Sequence, residues 1–173
     1  MLQGPNGSGK SSLIRVLAGL LPPASGRITW SGVDVAQDPD GHRARLAFIG
    51  HLDAVKPVFT VAENLAFWAG LAGKGGDIAA ALTRFGLARI ADLPARYLSA
   101  GQKRRLALAR LAATSAPLWL LDEPAVSLDK DGVAVLSAAI AGHRARGGLV
   151  VAASHGDIVI ADAQVLRLGA VAP

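Results

Sequence analysis

The chain contains no cysteine. That excludes disulfides, thiol nucleophiles and cysteine-based metal centres, and it fits a reducing compartment. Long apolar runs are also missing. A membrane-spanning helix needs roughly 18 apolar residues, and the richest stretch, Leu65 to Leu71, is short and follows Glu63 and Asn64. No charged segment leads into an apolar core at the start, so no export signal is expected. Charge is scarce, with 18% charged residues against 51% hydrophobic ones, which excludes a disordered chain. The four histidines are scattered and lack the spacing of metal ligands. A net charge of +5 suits polyphosphates, nucleic acid or an anionic membrane surface, and equally a basic protein with no fixed partner. Neither a repeat nor a long linker is visible, and the length is that of one ordinary domain.

What is present alternates. Short apolar strands and amphipathic helices follow one another, predicting an α/β fold with a mostly parallel sheet covered on both faces. A helix is expected from about Lys10 to Leu21, stopped by Pro22 and Pro23. Gly26 to Trp30 and Val33 to Val35 read as short strands around a Ser31-Gly32 turn, and Leu46 to Ile49 as another. Thr60-Val-Ala-Glu63 is a capping box, its hydroxyl and carboxylate satisfying orphan amides before an apolar run. Helical segments follow to about Asp92, broken at Gly73 to Gly76 and at Gly86. After a basic helix from Lys103 to Ala113, the alternation resumes. Strand Leu118 to Leu121, helix Lys130 to Arg146, strand Leu149 to Ala153 and a last strand around Val165 to Leu168 complete it.

Two motifs carry chemistry. Gly4-Pro5-Asn6-Gly7-Ser8-Gly9-Lys10-Ser11 fits G-x-x-x-x-G-K-[ST], with Ser12 following. Its glycines let the backbone wrap a phosphate, and the helix start behind it adds a positive end. Lys10 supplies charge to β- and γ-phosphates, and the Ser11 hydroxyl suits Mg²⁺. A mere glycine-rich turn capping a helix is the plain alternative. The second motif is the strand end Asp122-Glu123-Pro124. A buried strand of an open α/β sheet delivers its C-terminal residues to the ligand crevice. There Asp122 can hold Mg²⁺ through water, and Glu123 can orient or deprotonate an attacking water. The pair points to ATP binding and hydrolysis.

Leu98-Ser99-Ala100-Gly101-Gln102 is by itself another capping box, with Ser99 as cap and Gln102 reaching back. Its place between the phosphate loop and the acidic strand gives it more meaning. In this order of motifs the chain resembles the nucleotide-binding domain of ATP-binding cassette (ABC) proteins, whose signature is Leu-Ser-Gly-Gly-Gln. Ser127-Leu128-Asp129 looks like the family's D-loop and Ser154-His155 like its switch histidine. The resemblance covers essentially the whole chain and implies a P-loop NTPase fold with an all-helical insert. It makes residues 1–173 one domain, with a nucleotide-binding core of 1–55 and 115–173 and a helical subdomain of about 56–114.

The resemblance also implies a mechanism. Two such domains pair head to tail, each ATP lying between one phosphate loop and the signature of the second ATP-binding subunit. Ser99 and the Gly101 amide then contact the γ-phosphate across the dimer. His155 holds the γ-phosphate and the attacking water, or is a surface histidine after a strand. Asp129 reports across the interface, or is only a helix N-cap. Lys103-Arg104-Arg105 reads as a solvated basic run, and Trp30, Trp68 and Trp119 as core or interface.

Two departures from the family pattern stand out. The segment Phe48-Ile-Gly-His-Leu-Asp53 lacks the glutamine that ABC domains place there to contact Mg²⁺ and sense the transport partner. Leu52 or His51 aligns with it, and His51 or Asp53 is the candidate substitute. Only Met1, Leu2 and Gln3 precede the phosphate loop, whereas a strand averages about 5–6 residues. The family's extra hairpin and adenine-stacking aromatic have no counterpart, so truncated N-terminal strands, weak nucleotide affinity and poor stability are expected.

Within the family, Tyr97 to Arg105, Ala116 to Pro124 and Gly50-His51 resemble the ATP-binding subunit of the haem exporter of cytochrome c biogenesis. That implies membrane-embedded partner subunits and a peripheral place on the cytoplasmic face of the inner membrane. Neither nucleic acid nor haem is an expected ligand of this subunit. The insert surface around Phe59, Leu65 and Trp68 is the expected contact for a coupling helix, with the insert's own core as the alternative for any one of them. A transporter for lipid, polysaccharide or drugs, and a non-hydrolysing nucleotide-gated clamp, are the rival readings.

Overall fold

The computed structural model describes residues 1–73, 76–154, 156 and 158–169. Its centre is a parallel sheet in the order β4-β5-β6-β1-β7. These strands are β1 (Leu2–Gln3), β4 (Leu46–Ile49), β5 (Leu118–Asp122), β6 (Leu149–Ala153) and β7 (Leu166–Arg167). A separate antiparallel hairpin joins β2 (Thr29–Trp30) to β3 (Val33–Asp34). Ser31 (φ 49°) and Gly32 (φ 84°) both take positive φ at its tip, the requirement of the tight turn that matches strand twist.

Every residue of β5 is buried, which is why it reads as a continuous apolar run. Alternate side chains serve opposite faces. Leu118 and Leu120 pack with Ile14 and Ala18 of α1 (Lys10–Leu17) and its flank. Trp119 and Leu121 join the larger cluster, which takes in Leu136 and Ile140 of α6 (Lys130–Ala145) and Leu106 and Leu108 of α5 (Ala100–Ala112). That cluster runs on through Leu65 of α3 (Val61–Leu71) and Leu82 of α4 (Ile78–Arg84). One apolar core therefore links the sheet to the helical insert by way of α5.

Several expectations need correcting. The first helix ends at Leu17, not Leu21, because Gly19 turns left-handed (φ 68°). The Leu20 N–H returns to the Arg15 carbonyl and the Gly19 N–H to Val16, a Schellman end that stops the helix before the prolines. The α5 helix starts at Ala100 because Ser99 caps it, three residues before the basic run. A short helix missing from the sequence reading, α2 (Pro39–Ala44), is capped by Asp38 with proline at its first position. Leu65 lies wholly in the insert core, so it is no part of a docking surface.

The Thr60–Glu63 capping box forms as expected. Buried Asn64 braces the entry to α3, its side chain accepting from the Lys56 N–H and donating to the carbonyls of Lys56, Phe59 and Thr60. The short central strand is also present. Leu2 pairs with Ala153 on one side and Leu166 on the other, and Leu149 at the far end of β6 is exposed.

Candidate nucleotide site

The phosphate loop leaves β1 at Gly4. A side chain there would run into the Leu168 carbonyl, so only glycine fits. Gly9 is the left-handed N-cap of α1 (φ 93°) and offers no capping side chain. The first amides of α1 therefore stay available to an anion at the positive end of the helix. Lys10 is buried, and its Nζ arches over the loop to donate to the carbonyls of Gly4 (2.8 Å) and Pro5 (3.0 Å). A cation held this way sits beside the cradle its own backbone forms.

The two motifs read as chemical meet directly. Ser11 Oγ donates to Asp122 Oδ1 at 2.9 Å, joining the loop to the end of β5. Asp122 is buried. A hydroxyl and a carboxylate side by side are hard oxygen donors that suit Mg²⁺, which takes one or two protein ligands and fills the rest with phosphates and water. Among the described residues no cluster of three or more His, Cys, Asp or Glu side chains offers a fuller cage.

Glu123 follows in an unusual backbone state, with φ 47°. Left-handed φ is uncommon for a non-glycine residue and persists only where surrounding contacts fix it. Here the Glu123 N–H donates to the Ala153 carbonyl of β6 at 3.0 Å. Its own carbonyl accepts from Arg104 Nη2 at 2.6 Å. The residue is held from both sides, and its carbonyl also accepts from the Val126 N–H at 3.3 Å.

Arg104 overturns the solvated reading of the basic run. It is 3% exposed, and it also bonds the carbonyls of Gly50, Asp122 and Pro124 and the carboxylate of Asp53. Arg105, beside it, pairs with Asp129. Sequence reasoning missed both roles. Asp129 N-caps α6 through the Gly132 N–H, and the Arg105 hydrogen bond followed by that amide holds its carboxyl below the usual range. The cap reading of Asp129 is thus correct as far as it went.

The signature sits elsewhere. The Ser99–Gln102 capping box is formed, and Ser99 and Ala100 are exposed at the start of α5. Leu98, by contrast, is buried in the core. A side chain on Gly101 would meet the Ser127 carbonyl at 3.0 Å, so the turn before α6 passes close by. Among the described residues no hydrogen bond joins 98–102 to the phosphate loop of the same chain.

The segment after β4 settles part of the glutamine question. Asp53 Oδ1 accepts from Arg104 at 3.0 Å, while His51 and Leu52 are exposed. They line a cleft of about 1340 Å³ along the free edge of β4, with Trp68 and Leu71 of α3 and Arg110 of α5. The Arg110 guanidinium lies 4.0 Å from the Trp68 ring centre and donates to Phe48 O. Burial lowers its pKa to about 10 against the raising effect of Asp53. His155 lies outside the described residues.

The family model described as ABC transporter matches residues 1–126. The chain belongs to the ABC transporter family. It is 58% identical over 175 residues to the Cytochrome c biogenesis ATP-binding export protein CcmA of Paramagnetospirillum magneticum, covering 97% of this chain and 80% of that protein. It is 57% identical over 174 residues to the protein of that name from Rhodospirillum rubrum, covering 100% and 75%. Among solved structures, an ATP-binding subunit of an ABC transporter superposes with TM-score 0.76 at 26% identity, over 89% of this chain and 67% of that one. A dimeric ATP-binding cassette in a post-hydrolysis state with ADP and Pi gives 0.84 at 24%, over 96% and 79%, a likeness of fold. As an ABC cassette, the chain is a nucleotide-binding ATPase domain with the P-loop architecture its motifs imply.

Proposed function

We propose that this cassette is the ATP-hydrolysing subunit of an ABC exporter serving cytochrome c biogenesis, with haem as the cargo of the complex. The name shared by relatives at 58% and 57% identity supports the exporter assignment. The hydrolytic reading rests above all on the Ser11–Asp122 hydrogen bond, which brings the phosphate loop and the acidic strand to one point.

In this reading the amides of Gly7 to Ser12 cradle the phosphates and Lys10 moves its charge onto the β- and γ-oxygens. Ser11 and Asp122 would hold Mg²⁺, which neutralises charge on those oxygens when bound. Glu123 orients the water that attacks the γ-phosphate and takes its proton. His155 steadies that phosphate. Ser99 and Gly101 of a second copy, paired head to tail, close the site from outside, and Asp129 borders that interface. The nucleotide-binding core is 1–55 with 115–173, and about 56–114 is the helical subdomain.

No helix among the described residues is long and apolar enough to cross a membrane. We place the subunit at the cytoplasmic face of the inner membrane, its β4 cleft receiving a segment of the membrane-embedded partner. Leu52 is 82% exposed and Leu71 65% exposed there, with Trp68 between apolar and basic walls. Purification of the complex from membranes tests the assignment, since a haem-handling partner is expected and a lipid, polysaccharide or drug transporter partner refutes it.

Phosphate release from Glu123→Gln tests the chemistry. Turnover should fall about 1000-fold, within the range for losing a general base, while ATP binding persists. Equal turnover by the variant and the unaltered chain removes Glu123 from the mechanism.

A further inference from the structure

Every N–H of one buried guanidinium is used. Arg104 Nε donates to Pro124 O at 3.1 Å; Nη1 donates to Gly50 O at 2.9 Å and Asp53 Oδ1 at 3.0 Å. Nη2 donates to Asp122 O at 3.1 Å and Glu123 O at 2.6 Å. Five donors meet five acceptors, the full capacity of the group. A charge that is 3% exposed is tolerable only when so paired, and Asp53 supplies the opposite charge.

The acceptors belong to two segments, which follow the neighbouring strands β4 and β5. Three are successive carbonyls where β5 gives way to the turn, at the residues that carry the acidic motif. The other two belong to the loop that leaves β4. The donor stands on a third element, α5, at its fifth residue. At 1.5 Å rise per residue, the Ser99 cap lies roughly 7 Å away along the same helix. Glu123 has the left-handed φ of 47° in the middle of this contact. A strained peptide keeps its geometry only while its surroundings impose it. On the carbonyl side, Arg104 at 2.6 Å is the restraint from outside the turn, the Val126 N–H at 3.3 Å lying within it.

We propose that Arg104 is a positioning residue which fixes the Glu123 peptide, and so aims its carboxylate, from the helix whose N-terminus carries the signature. This rests on the role of Glu123 proposed above. In the head-to-tail dimer, α5 contacts one ATP through Ser99 and governs Glu123 at the other ATP through Arg104. Displacement of α5 by ATP at the first site is transmitted to the carboxylate of the second as a rigid-body shift. Lysine cannot replace the arginine, because a point-charge ammonium has three donors and no planar fork.

The test is steady-state ATP hydrolysis by the full chain carrying Arg104→Lys, beside Glu123→Gln and a core control, Leu136→Ala. Misplacing a catalytic group by about an ångström costs on the order of 100-fold, so Arg104→Lys should lower kcat about 100-fold with KM for ATP unchanged. Leu136→Ala, which opens a cavity in the core without removing any Arg104 hydrogen bond, should lower the melting temperature without lowering kcat measured below that temperature. Asp53→Asn keeps the arginine and removes its counter-charge. It should lower kcat about 10-fold, and the double variant should be no worse than Arg104→Lys alone, because the two act on one contact. Unchanged kcat in Arg104→Lys overturns the proposal. So does a loss of kcat that Leu136→Ala reproduces at equal melting temperature. If Arg104→Lys does not fold, normal kcat in Asp53→Asn overturns it. Failure of the underlying reading is distinguishable: Glu123→Gln then turns over like the unaltered chain.

Discussion

The two ends of the candidate ATP site are built in opposite ways. The phosphate-loop end is closed on itself: Lys10 caps its own loop, Ser11 meets Asp122, and the Glu123 peptide is held between β6 and α5. The signature end is open, with Ser99 and Ala100 exposed at a helix start that touches no phosphate-loop residue through a hydrogen bond among the described residues. The first end is an internally braced anion cradle. The second is a helix terminus capped by its own Ser99 and Gln102 and offered outward.

Substitutions at each end should separate these roles. The largest effect is expected at the closed end. Lys10→Ala removes the cation that contacts the carbonyls of Gly4 and Pro5, and loss of a charge-assisted partner should weaken ATP binding about 100-fold or more. A fluorescent-nucleotide titration measures this, and unaltered affinity would mean the helix N-terminus alone holds the phosphates.

At the open end, Ser99→Asp and Ser99→Ala should part company. Aspartate caps a helix as well as serine, so Ser99→Asp should melt normally yet lower turnover about 10-fold by aiming a negative charge at the γ-phosphate. Alanine removes the cap and should cost about 1 kcal/mol of stability. If Ser99→Asp hydrolyses ATP normally, the exposed helix start is only a cap and the contrast between the two ends fails.

The smallest expected effect lies away from both. His143 is stacked on Trp119 at 3.9 Å, and burial lowers its pKa below the ordinary 6.5 despite the carbonyl of Pro117. The unfolded chain then binds the proton more readily than the folded one. Its contribution is full above pH 6.5 and is lost as pH falls through the lowered value. Thermal melts at pH 8 and pH 5 should differ less in His143→Phe than in the unaltered chain.

Much of this was legible in the sequence, for reasons tied to particular residues. β4, β5 and β6 are short apolar runs of the kind that a parallel sheet takes up, and Leu46–Ile49 and Leu149–Ala153 fall where the run of residues places them. The Thr60 and Ser99 caps carry their own geometry in four residues. Contacts between distant segments were not legible. Arg104 sits in a basic triplet that looks like a solvated face, and its acceptors lie 18 to 54 residues away along the chain. The α2 helix has little apolar periodicity because only His42 of its residues is buried. The early end of α1 was hidden by competition, since Gly19 acts before Pro22 can.

The pairing of β1 sets a schedule for synthesis. Leu2 finds its strand partners at Ala153 and Leu166, so the scaffold beneath the phosphate loop joins segments far apart along the chain. At roughly 5–20 residues per second on the ribosome, β1 waits on the order of ten seconds for β7. Until then an apolar residue at the root of the loop has no sheet to enter. The nucleotide cradle is therefore translated well before the strands that complete its scaffold and takes shape only after them.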